Sequence, residues 1–274
     1  MSGKLYVVGT PIGNLGDMSP RAVQTLESVD FIAAEDTRVT VKLLNHFGIK
    51  KEMLAYYEHN KNQKGNLILE RILKGENCAV VSDAGMPAIS DPGEDLVREA
   101  GKLGIEIESV PGPSAVITAL AISGLPSGRF CFEGFLSMNK IGRRQHLSEL
   151  VTEKRTMIFY EAPHKLLNTL KDMLEFFGDR EITLVKELTK IHETVIHTTI
   201  SAAISDYTEN PPKGEFVLIV KGVKEEEESF TLEDAVKIAE DWVKKGESPS
   251  FAAKEAARVT GIKKGDIYKE LLKS

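Results

Sequence analysis

The sequence predicts an α/β fold: an N-terminal unit on a parallel sheet, a C-terminal unit on a mixed sheet, and a short helical tail. Three observations carry this prediction. Short apolar runs alternate with helix-like runs through residues 4–110, the pattern of a parallel sheet with right-handed crossovers. The strand-like runs after Ser114 crowd together near Glu193, which implies antiparallel pairing. From Thr231 onward the pattern is helical throughout. The expected divisions are 1–113, 114–222, a linker at 223–230 and a tail at 231–274.

The first strand is 4–9, followed by a loop and then Ser19-Pro20, a strong helix start. The second strand, 30–34, ends at Glu35-Asp36-Thr37-Arg38, and a helix from about 39 stops at Gly48. Strand 53–57 leads through Glu58-His59-Asn60 into a helix at 62–74. The fourth strand, 78–81, opens a loop with two Asp, two Gly and two Pro before the helix-like run 94–103. That loop is about twice the usual βα length of roughly 2–6 residues. Open α/β sheets bind ligands outside the strand carboxyl ends, so it is the first candidate site. A fifth strand, 105–110, closes at Pro111-Gly112-Pro113-Ser114.

In the second unit a helix at 115–123 precedes strand 130–135. The basic segment from Asn139 to His146, with Lys140, Arg143 and Arg144, opens another helix. Further strands are expected at 156–160, 182–186, 193–197 and 216–220, with a helix at 166–177. The run Lys224-Glu225-Glu226-Glu227-Glu228 reads as a solvated linker. Tail helices are expected to about 245, at 250–259 and at 264–272, the last two spaced like a helix-turn-helix.

The chain has 274 residues, 42% hydrophobic and 28% charged, as a soluble globular protein does. No apolar run approaches the ~18 residues of a membrane span. The start has no signal-peptide pattern, and Cys78 and Cys131 sit in apolar runs as expected free thiols, so a cytoplasmic setting is expected. A His/Cys metal cluster is not evident. The net charge of −6 does not mark a nucleic-acid binder, though it can hide a local basic face.

The loops exclude several chemistries. The first carries Gly13 and Gly16 but no G-x-G, and lacks a P-loop lysine. A serine elbow, G-x-S-x-G, is absent. Asp36 stands where a ribose-binding acid would, which keeps a nicotinamide dehydrogenase open on geometry. What remains is a pocket of backbone and small residues, with Gly85, Gly112 and Gly214 permitting close approach of a ligand. Asp83 either faces that ligand or holds its own loop in an Asx turn.

Eight segments in order resemble one family: Thr10-Pro11-Ile12-Gly13-Asn14-Leu15-Gly16-Asp17, Ala34-Glu35-Asp36-Thr37-Arg38, Val81-Ser82-Asp83-Ala84-Gly85-Met86-Pro87, Pro111-Gly112-Pro113-Ser114-Ala115, Phe132-Glu133-Gly134-Phe135-Leu136, Phe159-Tyr160-Glu161, Lys186-Glu187-Leu188-Thr189-Lys190 and Lys213-Gly214-Glu215. Together they resemble the bacterial ribosomal RNA small subunit methyltransferases I, of the tetrapyrrole methylase superfamily. The resemblance implies two α/β lobes with S-adenosylmethionine in the cleft between them, in a homodimer. It also implies 2′-O-methylation of a cytidine in the decoding region of 16S ribosomal RNA, on the small subunit. A same-fold methylase of a small molecule such as a tetrapyrrole precursor, or an RNA module without catalysis, are the competing readings.

Carried over position by position, the resemblance puts Pro11, Asp83, Gly85, Met86, Ser114, Ala115, Tyr160, Glu161, Ala162, Leu188, Glu215 and Phe216 at the cofactor. Met86 departs from the Thr common in the family. Glu35, Asp36, Arg38, His59, Arg143 and Arg144 fall on the RNA side. The arginines are expected on phosphates, which position rather than specify. The 2′-hydroxyl must lose its proton, and the candidate bases are Lys186 oriented by Glu187, then Asp36 and His59.

Overall fold

The computed structural model describes residues 2–90, 93–223 and 230–273. The chain forms two compact units, 1–223 and 224–274.

The first sheet has the order β3-β2-β4-β1-β5 and is parallel throughout. Its strands are β1 (Lys4–Val8), β2 (Phe31–Ala34), β3 (Glu52–Ala55), β4 (Cys78–Val81) and β5 (Glu106–Val110). The runs FIAA of β2 and CAVV of β4 are buried at every position, because both faces of the sheet are covered. Helices α1 (Pro20–Ser28) and α2 (Thr37–His46) cover one face through Ala22, Leu26 and Leu44. Helices α3 (Lys61–Leu73) and α4 (Glu94–Lys102) cover the other through Ile68, Ile72, Leu96 and Ala100. Adjacent strands β1 and β4 therefore send their following helices to opposite faces. That is the switch point at which an open α/β sheet leaves a crevice.

The second sheet has the order β6-β7-β10-β8-β9. Its strands are β6 (Phe130–Phe135), β7 (Thr156–Glu161), β8 (Glu181–Lys186), β9 (Thr194–Thr199) and β10 (Phe216–Val220). Only β6 and β7 are parallel, with a register shift between Phe132 and Gly134, so the sheet is mixed as the sequence predicts. Helix α5 (Ala115–Ile122) packs on one face with Val185, Val217 and Ile219, joined by Ile12 from the first lobe. The helices α6 (Lys140–Glu149), α7 (Pro163–Phe177) and α8 (Ile200–Glu209) supply Leu147, Leu170 and Ile200 to the other face.

Several boundaries differ from expectation for local reasons. Helix α2 starts at Thr37 because the Asp36 carboxylate accepts the Arg38 N–H and acts as N-cap. Helix α7 starts three residues early, at Pro163, which as first residue has no N–H to lose. Strand β9 lies slightly beyond the predicted 193–197. Helix α8 is absent from the expectation; Thr199 caps it by accepting the Ala202 N–H.

In the second unit, α9 (Leu232–Lys244), α10 (Pro249–Thr260) and α11 (Lys264–Leu271) pack through Ala235, Ala239, Ala252, Ala253, Ala256 and Ile267. Thr231 and Asp234 form a capping box that starts α9. The acidic run 224–228 and the loop residues Asp91 and Pro92 lie outside the described residues. No helix among the described residues is long and apolar enough to cross a membrane.

Candidate functional site

The loops after β1 and β4 are joined at the switch point. Thr10 and Gly85 exchange two backbone hydrogen bonds, of 2.9 and 3.1 Å, and the Thr10 hydroxyl donates to the Ser82 carbonyl at 3.2 Å. Gly9 and Gly112 bring the ends of β1 and β5 into backbone contact. A Cβ on Gly112 would stand 2.8 Å from the Gly9 carbonyl. These constraints leave a cavity of about 450 Å³ between the first-lobe loops and the second sheet. Ile12, Gly85, Met86 and Ile89 form one wall, and Ser114 and Ala115 lie at the lobe junction. Tyr160, Ala162, Val185, Leu188, Phe216 and Val217 form the other. Phe132 and Phe135 pack against the Tyr160 ring, with centroids 5.0 and 5.3 Å away. A mostly apolar hollow of this size with a few polar groups suits a nucleoside-sized ligand.

The turn after β8 is fixed from several sides. Glu187 and Thr189, at φ 51° and 65°, flank the buried Leu188. The Glu187 carboxylate accepts the Glu215 N–H at 2.8 Å and the Lys190 ammonium at 3.0 Å. Lys190 also reaches Glu215 at 2.9 Å, and the Thr189 N–H donates to Glu193 at 2.6 Å. The Glu215 N–H and then Lys190 hold the Glu187 carboxyl below its ordinary pKa. Burial pulls the Lys190 pKa down, but Glu215 and Glu187 outweigh it and leave it raised.

Ten of the twelve residues expected at the cofactor line this one cavity: Gly85, Met86, Ser114, Ala115, Tyr160, Glu161, Ala162, Leu188, Glu215 and Phe216. The Glu161 carboxylate is already used within the protein, accepting the Ala162 N–H at 2.8 Å and the Thr169 hydroxyl at 2.6 Å at the start of α7. Pro11 is buried and outside the lining. Asp83 is also outside it, and ties its loop to the one after β2 rather than forming the Asx turn within its own loop that was the other expectation. Its carboxylate accepts the Asp36 N–H at 3.1 Å, and its own N–H donates to Glu35 at 3.3 Å. Burial raises the Asp83 pKa. Of the three glycines expected to admit a ligand, only Gly85 lines the cavity; Gly112 abuts Gly9, and Gly214 abuts Glu187. The sequence reading did not single out Ile12, Ile89, Phe135, Val185 or Val217. The two-residue period of β8 and β10 carries a signal for the valines.

Both arginines of the basic segment are engaged by carboxylates. The Arg143 Nε donates to Asp172 at 2.7 Å, and Arg144 donates to Asp172 at 3.2 Å and to Glu175 at 2.6 Å. Arg144 also lies over the Phe176 ring, 4.9 Å from its centroid. Both arginines pin α6 to α7, a structural role that the expectation of RNA phosphates did not include. The Lys186 charge reaches Glu187 as the smallest of the influences that lower its carboxyl pKa. Glu187 is held by Lys190 and the Glu215 N–H, while strand alternation puts Lys186 on the face of Ile182 and Leu184, opposite the cavity-lining Val185. Asp36 caps α2 and accepts the Arg38 guanidinium at 3.0 Å, and Arg38 draws its pKa down to about 2.

A second, open hollow of about 610 Å³ adjoins the cavity. Glu35, Tyr57, Glu58, His59, Ala88 and Glu94 line it, and Ile89 and Ser90 line both spaces. Two expected RNA-side residues, Glu35 and His59, thus meet here, while Arg38 is outside the lining.

Residues 4–204 match the model of the tetrapyrrole (corrin/porphyrin) methylases. The chain is similar to a ribosomal RNA small subunit methyltransferase I of Synechocystis, 47% identical over 97% of this chain and 96% of that one. It is similar to another from Escherichia coli O157:H7, 45% identical over 98% and 95%. A protein of the same description from Thermotoga maritima is 48% identical over 99% of its own length but 80% of this chain. Among solved structures, diphthine synthase superposes with a TM-score of 0.60 at 13% identity, covering 80% of this chain and 90% of that one. The uroporphyrin-III-C-methyltransferase of Thermus thermophilus does so at 0.57 and 19%, covering 80% and 94%. At these identities the structural likeness concerns the fold.

Proposed function

The chain belongs to the tetrapyrrole methylases and, within them, to the ribosomal RNA small subunit methyltransferase I family, and from this premise we propose that it methylates a cytidine ribose 2′-oxygen in the decoding region of 16S ribosomal RNA. S-adenosylmethionine is the methyl donor and the small ribosomal subunit the substrate. The observation that supports this reading is the pair of adjoining spaces, one apolar-walled and nucleoside-sized, the other wider and lined by acids, meeting at Ile89 and Ser90. A cytoplasmic homodimer belongs to the same proposal, and the outward Ile117 and Ile122 of α5 are available for it.

The apolar-walled cavity fits the donor. Apolar walls around Tyr160, Val185 and Leu188 suit an adenosine body, and Gly85 permits close approach of the methionine part. When bound, S-adenosylmethionine supplies an electrophilic methyl group on a sulfonium that leaves as a neutral thioether. The O2′–methyl bond forms as the sulfur–methyl bond breaks, and the hydroxyl proton must go to a base. The protein contributes alignment first, through the locked turns at Thr10–Gly85 and Glu187–Lys190, and alignment of this kind supplies much of a rate. Among the named bases, Lys186 is on the other face of β8, Glu187 is engaged by Lys190, and Asp36 is engaged by Arg38. His59, which lines the adjoining hollow, is the proposed acceptor of the proton.

Transfer of labelled methyl from S-adenosylmethionine to undermethylated small subunits, followed by nucleoside mapping, tests the function. Label in 2′-O-methylcytidine is expected; label in a porphyrinoid and none in RNA would select the small-molecule reading. His59→Ala is expected to lower kcat by about 10²–10⁴-fold, and a change under threefold would remove His59 as base.

A further inference from the structure

We propose that the open hollow beside the donor cavity is a receptor for an unstacked pyrimidine base, with Tyr57 as its stacking surface. The inference rests on the function proposed above and names how its nucleotide is held. Methylation of a ribose within folded RNA requires the target sugar to reach the donor, and single-stranded bases are held by stacking on aromatic rings.

Two neighbouring tyrosines have opposite fates. Tyr56 is 2% exposed and belongs to the core between the first sheet and α3, whereas Tyr57 is 43% exposed and lines the hollow. The Tyr57 ring is in no aromatic pair among the described residues. Its backbone is nonetheless fixed: the Tyr57 N–H donates to Asn60 Oδ1 at 2.9 Å, the Asn60 N–H returns to the Tyr57 carbonyl at 3.0 Å, and Asn60 Nδ2 donates to the Ala55 carbonyl at 3.0 Å. An exposed ring on a pinned turn costs little ordering entropy when a planar ligand covers it. Ile89, 64% exposed, supplies apolar surface in the same hollow and also lines the donor cavity. A base held between these two side chains lies next to the place where its ribose must be.

The charge of the lining argues for a base rather than a phosphate. Glu35, Glu58 and Glu94 line the hollow, and among the described residues no lysine or arginine does. Glu58 is paired with Lys61 at 2.7 Å, and Glu94 lies 3.7 Å from Arg98, both cations being outside the lining. Carboxylates repel a phosphate but accept from an exocyclic amine, the donor that distinguishes cytosine from uracil.

The test compares Tyr57→Ala and Tyr57→Phe in the full-length protein. Methyl transfer to undermethylated small subunits gives kcat/KM, and calorimetry with S-adenosylmethionine alone reports folding and donor binding. Expected are a loss of about tenfold or more for Tyr57→Ala, a value within threefold of the parent for Tyr57→Phe, and unchanged donor affinity in both. Retention of activity within twofold by Tyr57→Ala overturns the inference, and so does a Tyr57→Phe as impaired as Tyr57→Ala, since stacking needs no hydroxyl. If the parent protein leaves the subunits unlabelled, the proposed function falls and this inference with it.

Discussion

Replacing Arg143 by alanine separates two roles that a basic segment can have. Arg143 and Asp172 are 12% and 10% exposed in their side chains and meet at 2.7 Å. Removing one member of a buried pair costs about 3–5 kcal/mol when the remaining charge is left uncompensated. Here compensation is partial, because Arg144 stays 3.2 Å from the other Asp172 oxygen. The expected loss is therefore about 2 kcal/mol, a fall in Tm of about 4–8 °C for a domain of this size. A double-mutant cycle with Asp172→Ala isolates the pair and is expected to give about 1–3 kcal/mol of coupling. Subunit binding, measured from low to moderate salt well below the melting transition, is expected to keep the parent's salt slope. A phosphate-binding arginine would behave in the opposite way, leaving stability alone and lowering the slope by about one. Unchanged stability within about 0.5 kcal/mol, together with a reduced salt slope, would refute the structural assignment.

Other expectations follow from particular contacts. Gly112→Ala places a Cβ 2.8 Å from the Gly9 backbone, which cannot swing aside as a side chain could; destabilisation by about 2 kcal/mol or more is expected in urea, and a parent-like midpoint would contradict the close approach. The folded-state pKa of Asp36, about 2, is below its unfolded value, so Asp36 adds stability above about pH 4 that is lost as pH falls toward 2. Asp36→Asn is expected to flatten that part of the acid limb in a plot of unfolding midpoint against pH; superimposable limbs would count against the Arg38 pairing. Cys78 is fully buried, and burial raises its pKa, while burial pushes Cys131 up to about 12. Neither thiol is expected to react quickly with a thiol reagent at neutral pH until the protein unfolds, as absorbance readout will show.

The parts of the fold legible in the sequence are those whose signals are local. The buried runs of β2 and β4 and the Ser19-Pro20 start of α1 need no distant partner to be recognised. Helix α8 also has a local signal, Ile200, Ala203 and Tyr207 buried along one side after a Thr199 cap. That signal is short and directly abuts β9, so the change of period is hard to see. The ion pairs of Arg143 and Arg144 are illegible for a different reason. Their partners are 28 to 31 residues away on α7, and nothing within the segment reveals that its charge is neutralised.

The same distinction explains the site. The long loop after β4 announces a binding place because its length and turn residues are local properties, but the job of each acid in it depends on which loop lies alongside. The switch point sets the β4 loop beside those of β1 and β2. The Asp83 carboxylate consequently takes the Asp36 N–H, Glu35 takes the Asp83 N–H, and Asp36 is left to cap α2 and hold Arg38. These acids fasten one loop to another; the walls of the neighbouring cavity are instead mostly small and apolar side chains. A motif rich in carboxylates can therefore mark a cavity while its acids serve to fasten loops. The turn that carries Tyr57 and His59, held by Asn60 and bordering the same Ile89, is where the proposed roles of both residues are put to the test.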